Sequence, residues 1–157
     1  MSNIAVFPGS FDPITKGHEN IVHRASPLFD KIIVAIGRNP DKKTFFSIEE
    51  RLVLIRRTFL ETPNVVVASY DGLTIDFCKK YKAKFLLRGL RSIADFKYER
   101  NMASINKELW SELETIFFST ERAYSHISST AVRDLLNNGG DVTNFLPKAL
   151  KGCIKMH

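Results

Sequence analysis

Short apolar runs alternate with helical patterns along the whole chain. Residues 4–7 (IAVF), 31–37 (KIIVAIG), 64–68 (NVVVA), 84–88 (KFLLR) and 114–118 (ETIFF) are each followed by a segment with helix periodicity or a helix cap. Runs this short and this apolar read as strands buried on both faces. The helical segments carry their own punctuation. Residues 19–25 continue as a helix, and Ser47-Ile48-Glu49-Glu50 forms a capping box for a helix to about Glu61, with Ile48, Leu52, Ile55 and Phe59 on one face. Further helices are expected over 73–81 and 93–109, from Ser128-Ser129-Thr130 to Asn138-Gly139-Gly140, and again from Pro147. This alternation predicts an α/β fold: a Rossmann-like, doubly wound parallel sheet of five strands with right-handed crossovers. The expected order, 3-2-1-4-5, puts a ligand crevice beyond the carboxyl ends of the first and fourth strands, where the order reverses.

No linker or repeat divides residues 1–157, so a single domain is expected. With 44% hydrophobic and 25% charged residues the composition is that of a globular chain, and no apolar run is long enough to span a bilayer. Met1-Ser2-Asn3 opens directly into a strand without a signal-peptide pattern, and the expected location is cytoplasmic. The two cysteines, Cys78 and Cys153, have no CxxC or metal-ligand spacing. A net charge of +6 calls for an anionic partner: nucleic acid, a membrane surface or a phosphorylated small molecule.

The stretch FPGSFDPITKGH (7–18) joins the first strand to a helix. A glycine-bearing turn there aims unpaired backbone N–H groups and the positive end of a helix dipole at one spot, which suits a phosphate. Gly9 and Gly17 permit a sharp turn and close approach, while Ser10 and His18 add side-chain donors. Arg88-Gly89-Leu90-Arg91, after the fourth strand, offers two guanidinium groups around a glycine. Ser125-His126-Ile127-Ser128-Ser129-Thr130, after the fifth, places three hydroxyls at a helix start, and one N-cap accounts for only one of them. Gly37 to Thr44 imitates a P-loop, but Lys42 stands where the second glycine is required, so the P-loop is rejected. A lysine pair alone is a solvated surface feature. Here Lys42 and Lys43 lie on a loop beside the expected crevice, within reach of a phosphate. No HExxH, GxSxG or nucleophile–base pair appears. Catalysis by positioning and charge stabilisation, as in phosphoryl or nucleotidyl transfer, fits best.

Together, PGSFDPITKGH, RGLRSIADFKYE and SHISSTAVR resemble the phosphopantetheine adenylyltransferases, and the likeness runs the length of the chain. Thr15-Lys16-Gly17-His18 is similar to the T/HxGH motif of the wider nucleotidyltransferase superfamily. The resemblance implies transfer of AMP from ATP to 4′-phosphopantetheine, giving dephospho-CoA and pyrophosphate, with Mg²⁺ carried mainly by the triphosphate and no dedicated metal ligand. It also implies a homohexamer, with the 93–110 helix as the candidate interface.

By the same matching His18 stabilises the pentacovalent transition state, with Ser10, Lys42 and Arg91 completing the catalytic set. Ser10, Phe11, His18, Gly89, Leu90, Arg91, Glu99, Tyr124, Ser125, His126, Ile127, Ser128, Ser129 and Thr130 fall at the ATP site. Ser10, Lys42, Thr74, Arg88, Met102 and Asn106 fall at the phosphopantetheine site. Two positions depart from the family pattern: Ser10 replaces a frequent Thr and keeps the hydroxyl, and His126 stands where an aromatic is frequent. A nucleic-acid module is disfavoured, because the cations cluster by loop and no RRM, KH or helix-turn-helix signature is present. The alternative within enzymes is an adenylyl- or cytidylyltransferase acting on another small phosphate ester.

Overall fold

Every one of the five apolar runs is a strand in the computed structural model, which describes residues 2–154. The order along the chain is β1 (Ile4–Gly9), α1 (Lys16–Ala25), β2 (Lys31–Gly37), α2 (Ile48–Thr58), β3 (Val65–Tyr70), α3 (Thr74–Lys80), β4 (Phe85–Leu90), α4 (Ile93–Leu109), β5 (Glu114–Ser119) and α5 (Ser129–Asn137). The strands form one sheet in the order β3-β2-β1-β4-β5. All four pairings are parallel, and Val6 sits opposite Ile33 on one side and Leu86 on the other. This is the doubly wound Rossmann-like arrangement with the expected strand order.

Alternate residues of the same strand enter different cores. Ala5, Phe7, Ile32, Val34, Ile36 and Leu87 pack with Ile21, Val22, Ile55, Val132 and Leu136 on the side of α1, α2 and α5. Val6, Ile33, Ala35 and Leu86 pack on the opposite side with Ile75, Phe77, Cys78 and Leu113. With both faces buried, a polar residue in the middle of β1 or β2 would need a partner that neither core supplies. That is why these strands read as unbroken apolar runs.

Several boundaries differ from the sequence reading, three of them for a local reason. α1 starts at Lys16 rather than at Glu19, because Thr15 caps the helix through the His18 N–H while the His18 ring accepts the Thr15 N–H. β4 runs on to Leu90, so Gly89 and Leu90 are strand residues. The helix expected from Pro147 is one 3₁₀ turn, Lys148–Leu150, followed by Gly152 at φ 78°, where the left-handed backbone stops any continuation. Its Leu150 is buried in the core beside α2.

At the carboxyl edge, the chain leaves β1 toward one face of the sheet and β4 toward the other. The gap between those exits holds the site.

Candidate active site

A crevice of about 330 Å³ opens beyond the carboxyl ends of β1 and β4. Ser10, Phe11, His18, Lys42, Arg88, Gly89, Arg91, Glu99, Tyr124, Ile127, Ser128, Ser129 and Thr130 all line it. Thr74, Met102 and Asn106 line a neighbouring cavity of about 250 Å³, which shares Pro8, Arg88 and Glu99 with the crevice. Leu90, Ser125 and His126 line neither. Ser125 donates its hydroxyl to the Arg122 carbonyl, and the exposed His126 ring lies 6.5 Å from the Phe145 ring.

The β1–α1 loop is held by its carbonyls. Arg88 Nη1 donates to the Pro8 oxygen at 3.0 Å and Arg51 Nη1 to the Ser10 oxygen at 2.8 Å. Arg133 Nη1 donates to the Asp12 oxygen and Ser129 Oγ to the Pro13 oxygen, each at 2.8 Å. Four carbonyl dipoles that would repel an anion are thereby occupied from β4, α2 and α5. Phe11 has φ 47°, a left-handed backbone that costs an L-residue roughly 1–2 kcal/mol. Its ring meets the His18 ring edge-on at 5.0 Å. A Cβ on Gly9 would stand 3.1 Å from that phenyl ring, so Gly9 makes room for Phe11 rather than for a ligand. Gly89 also serves packing, since a Cβ there would overlap Ile21 of α1.

The loop after β2 is tied to the same turn. The Asp12 carboxylate, almost wholly buried, accepts the Phe45 N–H at 2.8 Å and the Phe46 N–H at 2.9 Å. A few residues earlier, Lys42 Nζ donates to Ser10 Oγ at 2.9 Å. The lysine, though exposed, therefore stands over the β1 loop.

His18 is fixed in one tautomer. The Thr15 N–H donates to its Nδ1 at 3.0 Å, so the ring proton of the neutral imidazole is on Nε2. Burial lowers its pKa to about 4, and the nearby positive charges of Arg91 and then Arg88 act in the same direction. The ring is thus a neutral N–H donor at physiological pH. In the unfolded chain the same histidine titrates at about 6.5, so the unfolded state binds the extra proton between pH 6.5 and 4. Stability linked to His18 is complete above pH 6.5 and is lost as the pH falls toward 4, with a slope of at most about 1.4 kcal/mol per pH unit. Denaturant titrations across this range are expected to show a shallower acid decline in His18→Gln than in the wild type; parallel profiles would contradict the neutral, depressed imidazole.

On β4, Arg88 makes a two-pronged pair with Glu99 of α4, Nε to Oε2 at 2.8 Å and Nη2 to Oε1 at 2.6 Å. The Glu99 carboxylate expected at the nucleotide is therefore engaged by Arg88, although the residue does line the crevice. Arg91 is set by Asp95, one turn before Glu99 on the same helix: its N–H donates to Oδ2 at 3.0 Å, and its Nε lies 3.7 Å away. The three hydroxyls at the start of α5 divide their work. Ser128 caps the Ala131 N–H, Ser129 tethers Pro13, and Thr130 Oγ1 accepts from Arg133 Nη2 at 3.1 Å, leaving its own proton to donate.

Three contributors were not singled out from the sequence: Asp12, Arg51 and Arg133. Arg133 had a readable signal, since it lies three residues after Thr130 and so on the same helix face. Arg51 follows the Ser47 cap by four residues, again one face. Asp12 looks like any turn aspartate beside a proline.

A parallel sheet with its site at the switch point, a helix N-terminus, a neutral imidazole donor and four cations define a nucleotide-handling α/β enzyme. Residues 6–135 match the cytidylyltransferase-like family, a class of nucleotidyltransferases. Among solved structures, a bifunctional NMN adenylyltransferase/ADP ribose pyrophosphatase from Francisella tularensis superposes with a TM-score of 0.70 at 22% identity, over 93% of this chain and 45% of that one. A Vibrio parahaemolyticus structure bearing the name of a nicotinate-nucleotide adenylyltransferase gives 0.69 at 17% identity, over 97% of this chain and 93% of that one. Likeness at that identity establishes the fold. Sequence relatives are nearer: phosphopantetheine adenylyltransferase of Flavobacterium psychrophilum is 53% identical over 94% of this chain and 97% of its own length. The enzyme of the same name from Clostridium perfringens strain SM101 is 49% identical over 94% of this chain and 90% of its own. The chain belongs to the phosphopantetheine adenylyltransferase family, nucleotidyltransferases of coenzyme A biosynthesis.

Proposed function

We propose that the crevice transfers the adenylyl group of ATP to 4′-phosphopantetheine by direct in-line attack, without a covalent enzyme intermediate. The observation that carries this reading is the fixed, neutral His18 ring in one crevice with Lys42, Arg88, Arg91 and Arg133. Lys42 and Arg88 flank Ser10 on one side and hold the acceptor phosphate. Arg91, Arg133, Thr130 and the N-terminus of α5 take the triphosphate on the other.

An acceptor phosphate oxygen attacks the α-phosphorus, the bond to the bridging oxygen breaks, and pyrophosphate leaves with that electron pair. His18 donates to a non-bridging α-phosphate oxygen as charge builds there. No base is required, because the acceptor phosphate is already anionic. What the two polyanions need is relief from mutual repulsion, and the crevice supplies it. The adenosine end lies toward Gly89, Tyr124 and Ile127. The pantetheine arm extends into the adjoining cavity, where Leu73, Met102 and Leu109 give it an apolar wall and Thr74 and Asn106 give it polar contacts.

Mg²⁺ enters as the counter-ion of ATP. The acids that line the crevice, Asp95 and Glu99, are both engaged by arginines, and the described residues include no cluster of three or more metal-ligating side chains, so they do not fit a resident ion. Among the described residues no helix is long and apolar enough to cross a membrane.

The homohexamer belongs to the same proposal. Of the 17 residues of α4 only Glu99 is buried, while Ile93 (88% exposed), Tyr98, Ile105 and Leu109 present apolar surface to solvent. A helix so exposed is covered in a symmetric assembly. Light scattering is expected to give six chains per particle; a monomer at micromolar concentration would remove this part of the proposal and leave the chemistry standing.

Direct displacement fixes the stereochemistry. With ATP made chiral at the α-phosphorus by sulfur substitution, the dephospho-CoA analogue is expected to show inverted configuration. Retention would require two displacements and a covalent adenylyl-enzyme.

A further inference from the structure

On the far side of Lys42 from the crevice, a third cavity, of about 580 Å³, opens beyond the carboxyl ends of β2 and β3. Ser10, Gly37, Arg38, Asn39, Lys42 and Arg51 form most of its wall. Arg51 is 6% exposed, and its Nε and Nη1 donate to the carbonyls of Ser47 and Ser10. Among the described residues no carboxylate lies within ion-pair distance of it. Its remaining nitrogen, Nη2, has no protein partner, yet no fully buried side-chain nitrogen among the described residues goes unsatisfied. Nη2 is therefore not sealed in the core, and the residue that carries it lines the cavity. The acid in the lining, Asp71, is held by Arg38 on the rim. Three cations against one paired acid, with one cation desolvated and uncompensated, is an arrangement that an anion completes.

We propose that this cavity is a second anion subsite, separate from the Arg88 side of the crevice, that takes a phosphate or pyrophosphate ion on Arg38, Arg51 and Lys42. Arg51 offers the guanidinium edge left free by its carbonyl bonds, and the Gly37–Asn39 turn gives the anion backbone to lie against. The Lys42 ammonium borders both cavities. An ion in the subsite draws it away from Ser10, so occupancy opposes the hold on the acceptor phosphate. That kinetic consequence rests on the function proposed above, whereas the binding itself does not.

Calorimetric titration of the full chain with inorganic phosphate, and in a parallel arm with inorganic pyrophosphate, tests the proposal. One site per chain beyond the acceptor and triphosphate positions of the crevice is expected in the wild type. Arg38→Ala alters an exposed rim residue outside the catalytic set and is expected to weaken one site at least about 10-fold while turnover without added anion stays within about 2-fold. Arg91→Ala is expected to weaken binding in the crevice and to leave the Arg38-dependent site unchanged. The arm with the tighter subsite isotherm identifies which ion it takes. In turnover assays, Arg38→Ala is expected to raise the inhibition constant of that ion, measured against the acceptor, at least about 5-fold. Anion binding of which no part is weakened by Arg38→Ala would overturn the proposal. A site with the expected Arg38 dependence but no effect on turnover would confirm the subsite and count against the role given to Lys42.

Discussion

His18→Ala is expected to lower kcat by about 10²-fold or more while the dissociation constant of ATP changes by only a few fold. The imidazole is a preorganised neutral donor, fixed by the Thr15 N–H at 3.0 Å and by the edge of Phe11, so it reorganises little as charge builds at phosphorus. Loss of one such donor costs about 2.7–4 kcal/mol in enzymes that stabilise an oxyanion this way, and the loss falls on the chemical step. His18→Asn tests orientation, because its shorter amide retains a donor but places it differently. Since the folded pKa of about 4 keeps the ring neutral through the physiological range, free His18 should contribute no inflection to the rate profile between pH 6 and 8. Near-normal kcat in His18→Ala would return the residue to its role in the helix cap.

Arg88→Ala is expected to raise the KM for phosphopantetheine by about 10-fold or more and to leave the KM for ATP within a few fold. One charge-assisted hydrogen bond to a dianionic phosphate contributes about 1.5–3 kcal/mol. The substitution also strips Glu99 of both of its arginine bonds and leaves a buried carboxylate unpaired, which destabilises the fold. Arg88→Ala combined with Glu99→Gln removes that complication: stability recovers, and the acceptor effect is expected to persist. Unphosphorylated pantetheine fails with either enzyme, because it lacks the attacking oxygen as well as the anchor. If Arg88→Ala weakens ATP and spares the acceptor, the two phosphate positions are assigned the wrong way round.

The parts of this architecture legible in the sequence are those set by local chemistry. Buried parallel strands must be apolar throughout, which made 31–37 and 84–88 recognisable, and alternation with helices led to the doubly wound parallel sheet. Ser47 and Glu50 satisfy each other across three residues, so α2 announced its own start. The capping box of α1 escaped because its third helical residue is histidine, whose ring performs the task usual for Glu or Gln. The tethers from Arg51 to Ser10 and from Arg133 to Asp12 span 41 and 121 residues, and only the folded chain reveals them. Likewise Gly9 signals a special backbone position without saying that a phenyl ring fills the space over it.

The most direct measurement supplies the enzyme with Mg²⁺ and ATP together with equal concentrations of 4′-phosphopantetheine and nicotinamide mononucleotide, and resolves the products by chromatography and mass. Solved structures of like fold include one named for NMN adenylyltransferase activity, so the two acceptors separate shared architecture from shared substrate. Dephospho-CoA and pyrophosphate formed in equal amounts, with the mononucleotide unchanged, is the predicted result. Adenylylation of nicotinamide mononucleotide with phosphopantetheine left intact would contradict it.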